Sequence, residues 1–151
     1  MFDLNCDLGE GIGNDHKIMP WITSCNIACG GHFGNRKTIS ETISLAKKHN
    51  VRVGAHPSYY DHKNFGRISA YTNTKEFQDS IRTQLDLFQE AANKLNKRWN
   101  HIKAHGALYN EMAKDINLAI EYLEVVKEYP NVSIVYLPSG ASTIIDLFKS
   151  N

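Results

Sequence analysis

The chain has 151 residues, with 17 basic and 16 acidic side chains and a formal net charge of +1. That length sets one domain with room for a substantial core. The balanced charge offers no basic face to nucleic acid or a membrane surface, and no apolar run approaches a membrane span. The opening MFDLNCDLGEG is acidic and glycine-rich, unlike a signal peptide, so a cytoplasmic location is expected.

FDLNCDL at 2–8 reads as a first strand. Asn5 and Asp7 alternate with Leu4 and Cys6 and share one face of it. In a barrel that face is the interior, where both are costly unless they bond a ligand or one another. TSCNIACG at 23–30 reads as a second strand, and Asn26 repeats the pattern. Cys6, Cys25 and Cys29, odd in number and set in apolar runs, are expected as reduced, mostly buried thiols.

A helix is expected from near Thr38, with Glu41 completing a capping box and Lys47, Lys48 and His49 suiting its C-terminal end. VRVGAH at 51–56 is a third strand. A second helix starts at Asn73 or Thr74, and Phe77, Ile81, Leu85, Phe88, Ala92 and Leu95 form its apolar stripe. NHIKAH at 100–105 is a fourth strand, followed by a helix after Asp115 with Ala119, Leu123 and Val126 inward. VSIVYL at 132–137 is a fifth strand, and ASTIIDLFK a closing helix. Strand–helix alternation predicts a single β/α domain over 1–151: parallel strands covered by helices, as an open sheet or a barrel.

GGH at 30–32, GAHP at 54–57 and KAHG at 103–106 each set a histidine among very small residues at the C-terminal end of a strand. Asp7 and Glu10 close the first strand in the same way. A lone histidine at a strand end is ordinarily a structural hydrogen bonder. Three, with two carboxylates at equivalent ends, predict one shared pocket on the rim where α/β proteins build their sites. His16, His49, His62 and His101 lack this context and are read as loop, helix-end or outward-facing groups. Tyr59, Tyr60 and Tyr109 either close over a small substrate or pack. Asp15, Asp61 and Glu111 are read as solvated or capping.

Two chemistries suit such a pocket. Histidines and aspartate can hold a divalent metal that activates water, with Asp7, His32 and His56 as candidates. Alternatively they act as general acid and base while Lys103 and Arg67 hold an anionic substrate. No H-x-x-x-H or H-E-x-x-H pair occurs, so any metal ligands come from separate strands. There is no phosphate loop of the G-x-x-x-x-G-K-[ST] type.

Together DLNCDLGEG, NIACGGHFGN, VGAHPSYYD, NFGR and IKAHGALYN resemble the LamB/YcsF family of 5-oxoprolinase A subunits. The resemblance covers five ordered motifs from residue 3 to residue 110. It implies a β/α barrel like that of the glycoside hydrolase and deacetylase superfamily. It also implies ATP-dependent opening of 5-oxo-L-proline to L-glutamate, with ATP used through partner subunits B and C.

On that basis Asp7, Glu10, His56, Lys103 and His105 are the expected catalytic set, with Asn5, Asn26, His32, Arg67 and Tyr109 around the substrate. Asp7 or Glu10, with His56, would position or deprotonate the water. His105 would be the general acid, and Lys103 with His32 would stabilise negative charge.

The chain departs from the family pattern in places. Gly31 and Phe33 look like an exchange of bulk, Asn35 replaces an aspartate, Ala104 stands where proline is common, and no second arginine follows Arg67. Family members also continue past the end of this sequence, so an incomplete barrel of about five strands is expected. Its open edges would favour self-association. Two other readings are a metal-dependent hydrolase acting without partners and a shortened, non-catalytic binding subunit.

Overall fold

The computed structural model describes residues 2–137. Five strands, β1 (Asn5–Leu8), β2 (Ser24–Ala28), β3 (Arg52–His56), β4 (Trp99–Lys103) and β5 (Ile134–Tyr136), form one sheet in the order of the chain. Every neighbouring pair is parallel. Parallel neighbours need crossovers, and sequence order in the sheet carries every crossover over the same side. The sheet is therefore singly wound, as in a barrel, and its five strands stay open.

The helices supply the covered side. α2 (Arg36–Lys48), α3 (Thr74–Lys94) and α5 (Ile116–Val126) bury amphipathic stripes. Cys25, Ile27, Val53, Ala55 and Ile102 from the strands join Ile39, Ile43, Ile81, Leu85, Phe88 and Tyr122 from the helices in one core. Strand alternation then leaves Asn5, Asp7, Asn26, His56, His101 and Lys103 on the opposite, inner face. Two short helices, α1 (Asp15–Ile18) and α4 (Gly106–Met112), and a 3-10 turn at Met19–Trp21 lie outside the sequence expectation. The expected closing helix lies outside the described residues. No helix among the described residues is long and apolar enough to cross a membrane.

Two sequence expectations need correction. The helix expected from Thr38 starts at Arg36, capped by Asn35, whose side chain accepts from the Lys37 and Thr38 backbone N–H groups. Thr38 is the third helical residue and its hydroxyl accepts from the Asn35 N–H at 2.9 Å, so the capping box lies one turn earlier. The aspartate-to-asparagine exchange at 35 is thus neutral for the helix, since both types cap well. Asn35→Ala is expected to destabilise the fold by about 1 kcal/mol, read as a lower urea midpoint with unchanged slope.

His101 is the second correction. It faces inward and is 2% exposed. Its Nε2 lies 3.1 Å from the Cys25 carbonyl oxygen, and its ring fills the space that Gly54 leaves, where a Cβ would sit 2.1 Å from His101 Cδ2. The thiols of Cys25 and Cys29 are buried, and burial pushes both up to about 12, so they are inert packing groups.

Candidate active site

The C-terminal ends of β1 to β4 converge as the motifs predict. His56 is the last residue of β3, Lys103 the last of β4, and His105 caps α4 just beyond it. Glu10 and His32 sit in the loops that leave β1 and β2. The His32 and His105 rings stack at 3.7 Å between centroids, and His56 meets both edge-on.

Small residues make this possible. A Cβ on Gly31 would lie 2.3 Å from Ser58 Oγ and 2.4 Å from Gln84 Oε1. A Cβ on Gly66 would lie 2.9 Å from His32 Cβ. The likeness of the three histidine motifs is the likeness of three backbones that must crowd one point.

The pocket has two halves. In the first, Lys103 Nζ donates to both Asp7 oxygens, at 2.8 and 2.7 Å. Asn26 Nδ2 donates to Asp7 Oδ1 at 2.7 Å and also to Asn5 Oδ1, while Asn5 Nδ2 donates to Ser24 Oγ at 2.8 Å. The inward amides thus satisfy one another and hold Asp7, as buried polar groups must. Burial works against the Asp7 carboxylate, but His56, Lys103 and Asn26 outweigh it and keep the carboxyl far below its usual range. The Lys103 ammonium also lies 5.9 Å from the centre of the Tyr109 ring.

In the second half, Glu10, His32, His56 and His105 bring one donor atom each within 4.8 Å of the others. His56 Nε2 and His105 Nδ1 are 3.0 Å apart, and Glu10 Oε1 is 3.0 Å from His32 Nε2. Burial pushes His32 down further than the Glu10 carboxylate lifts it. Burial first, and then the crowding of His32 and His56 against any added charge, pushes His105 well below the ordinary imidazole value. Both rings are therefore neutral at neutral pH, so His105 has no proton to give as the general acid until the reaction delivers one.

Of the three metal candidates, His32 and His56 belong to this cluster, and Asp7 is committed to Lys103. Glu10 and His105 stand in its place. Arg67 is exposed on the rim with its guanidinium 5.6 Å from the Phe65 ring centre, outside the cluster. Tyr59 is buried in the core and donates to Glu111 at 2.6 Å, and Tyr60 is exposed, so neither closes the pocket. Exposed His62 lies 3.1 Å from the Gly30 carbonyl oxygen and edge-on to the Tyr60 ring, outside the cluster.

Sequence reasoning missed the supports. Ser58 Oγ lies 3.1 Å from His32 Nδ1, and Gln84 accepts from the Ser58 N–H and donates to its carbonyl, at 3.0 and 2.8 Å. The available signal was Gln84 itself, a polar residue on the apolar stripe of α3.

A lysine–carboxylate pair beside convergent imidazoles lies on the C-terminal rim of a singly wound β/α sheet, the end at which barrel folds build their sites. The chain belongs to the LamB/YcsF family, whose model matches residues 2–147. The 5-oxoprolinase A subunits of Staphylococcus aureus strains MRSA252 and MW2 are each 43% identical to it over 144 residues, covering 91% of this chain and 58% of theirs. The solved lactam utilization protein from Thermus thermophilus superposes with a TM-score of 0.90 at 31% identity, covering 98% of this chain and 62% of that one. The chain therefore spans under two thirds of the length of these relatives.

Proposed function

We propose that this chain is the lactam-opening A component of an ATP-dependent 5-oxoprolinase, cytoplasmic and working with B and C subunits to convert 5-oxo-L-proline into L-glutamate. The observation that carries the reading is the side-by-side placement of the Asp7–Lys103 pair and four convergent acceptors in one rim pocket. The naming of the staphylococcal relatives as 5-oxoprolinase A subunits selects the substrate.

The chemistry fits the two halves. A lactam is an unstrained amide with a poor leaving group. Transfer of the ATP γ-phosphoryl group to the lactam oxygen, assigned to the partner subunits, makes its carbon electrophilic. The acceptor cluster positions a water and takes up its proton. Lys103 stabilises the negative charge that develops on the substrate, and Asn5, Asn26 and Asp7 hold Lys103 in place. The carbon–nitrogen bond then breaks with its electrons on nitrogen, which receives a proton. The acyl phosphate that remains reacts with a second water to give the carboxylate and phosphate. The proton shared across the His56–His105 contact is the one returned to nitrogen, so His105 becomes an acid only after the cluster has been loaded.

The test is glutamate release from 5-oxoproline by this chain mixed with ATP and the B and C subunits. Release that needs every component is expected, and His105→Ala is expected to lower it at least about 100-fold in a folded protein. Normal turnover by folded His105→Ala would sink the assignment.

A further inference from the structure

The outward nitrogens of the three histidines decide what the inward ones can do. His56 Nδ1 lies 2.6 Å from the Lys103 carbonyl oxygen, and His105 Nε2 lies 3.0 Å from the Phe65 carbonyl oxygen. A carbonyl only accepts, so both of these nitrogens carry the ring hydrogen. Ser58 Oγ spends its hydrogen on the Tyr59 carbonyl at 2.8 Å. It must therefore accept from His32 Nδ1, 3.1 Å away. Whenever these rings are neutral, each therefore turns a bare lone pair inward.

Those lone pairs face one another and a carboxylate. His56 Nε2 meets His105 Nδ1 at 3.0 Å. Glu10 Oε1 lies 3.0 Å from His32 Nε2, 3.5 Å from His105 Nδ1 and 3.8 Å from His56 Nε2. Four acceptors converge with no hydrogen among them, which is repulsive at these distances unless something positive sits between. Protons could satisfy them only two at a time, one on the His32–Glu10 contact and one on the His56–His105 contact. A single cation satisfies them together.

We propose that Glu10, His32, His56 and His105 form a binding site for one divalent transition-metal ion of the zinc or cobalt type. Three imidazole nitrogens and one carboxylate oxygen are the donor set those ions favour over magnesium or calcium. The close donor pairs, 3.0 to 3.8 Å apart, bracket the edge of about 3.4 Å that a tetrahedron has at zinc–ligand distances of about 2.0–2.1 Å. The outward N–H bonds to two carbonyls and a serine are the supporting contacts that fix the ring orientation of metal-bound histidine. Asp7 stays outside the set, because Lys103 and Asn26 occupy it.

The inference deepens the function proposed above and rests on it only for one consequence. With such an ion bound, the four side chains would hold it instead of taking up the water's proton, and the ion would supply the Lewis acid that activates that water.

The experiment uses the purified chain, stripped with a chelator and titrated with zinc chloride by calorimetry, with no substrate or partner present. A parallel titration with cobalt(II) reads its visible absorption. One zinc per chain with a dissociation constant in the micromolar range or tighter is expected, with four-coordinate cobalt bands. His56→Asn should weaken uptake about 100-fold or more, and His49→Ala, at the exposed end of α2, should leave it unchanged. Glu10→Gln keeps every ring and almost the same shape, so it covers the case in which His56→Asn fails to fold. No saturable uptake below the millimolar range would overturn the proposal. So would uptake that Glu10→Gln leaves intact, or that His49→Ala removes. A metal-binding chain that releases no glutamate would leave the site standing and discard the lactam reaction.

Discussion

Replacing Lys103 with methionine is expected to lower turnover of the assembled system by about 100- to 1,000-fold, the range found when one preorganised charge-stabilising donor is removed. Methionine keeps a stem of similar length and deletes the ammonium group. Both Asp7 oxygens then lose their lysine partner, 2.8 and 2.7 Å away, and Oδ1 keeps Asn26 at 2.7 Å. With the ammonium gone, burial acts on Asp7 against fewer opposing groups, and its carboxyl rises toward the ordinary range.

The pair is only partly shielded, with side-chain exposures of 25% for Lys103 and 32% for Asp7, so solvent screens much of the loss in stability. The expected stability cost is therefore about 1 kcal/mol, far smaller than the loss in rate. Asp7→Asn should reduce the rate similarly. The double variant should be little worse than either single one, because the two residues act as a unit. The decisive readout is kcat against KM: loss of charge stabilisation lowers kcat, whereas a simple anchor for substrate would raise KM alone. Rates within a few-fold of the parent in both folded single variants would remove the pair from the chemistry.

The pocket was legible because it obeys strand geometry. Residues at strand ends can be placed by period two and by parallel order; His56 and Lys103 follow both rules, while His32 and His105 lie just past their strands and follow the parallel order alone. The polar inner face was equally readable from Asn5, Asp7 and Asn26. The same alternation applied to β4 puts His101 on the face of Lys103, with Ile102 turned to the helices, so its inward position was available in the sequence. It was misread because it lies in the middle of the strand, short of the motif at its C-terminal end.

Other features were out of reach. Glu10 lies beyond the last strand residue, where a glycine-rich loop sets direction and no periodicity applies, so its place beside the histidines instead of Asp7 emerges only from the fold. α4 spans seven residues, too few for a helical stripe to repeat. The helix start at Arg36 was misplaced because Asn35 and Thr38 are both good caps, and the neighbouring backbone decides between them. The Ser58–Gln84 clamp depends on contacts 26 residues apart, which local pattern does not encode.

Gly106→Ala is expected to destabilise the protein by about 2–4 kcal/mol, the left-handed backbone penalty and an overpacking cost acting together. Gly106 has φ +57°, and a Cβ there would lie 2.4 Å from the Gly66 carbonyl oxygen and 3.1 Å from its carbon. That carbonyl cannot retreat freely. It accepts from the Ala107 N–H at 2.9 Å, and Gly66 itself has φ +63° and no room for a Cβ, which would lie 2.9 Å from His32 Cβ. Displacing it would move the adjoining Phe65 carbonyl, the acceptor that orients His105. The loss should therefore reach the site, lowering turnover by more than the fall in folded protein explains. Gly13→Ala separates the two costs, since Gly13 has φ +78° but nothing within 4 Å of an added Cβ. It should cost only about 1–2 kcal/mol from backbone conformation and leave the pocket unaffected. Equal urea-midpoint losses at the two positions would mean that the 65–67 loop gives way to the added methyl. The close approach of Gly66 to Gly106 would then not be what holds His105 in register.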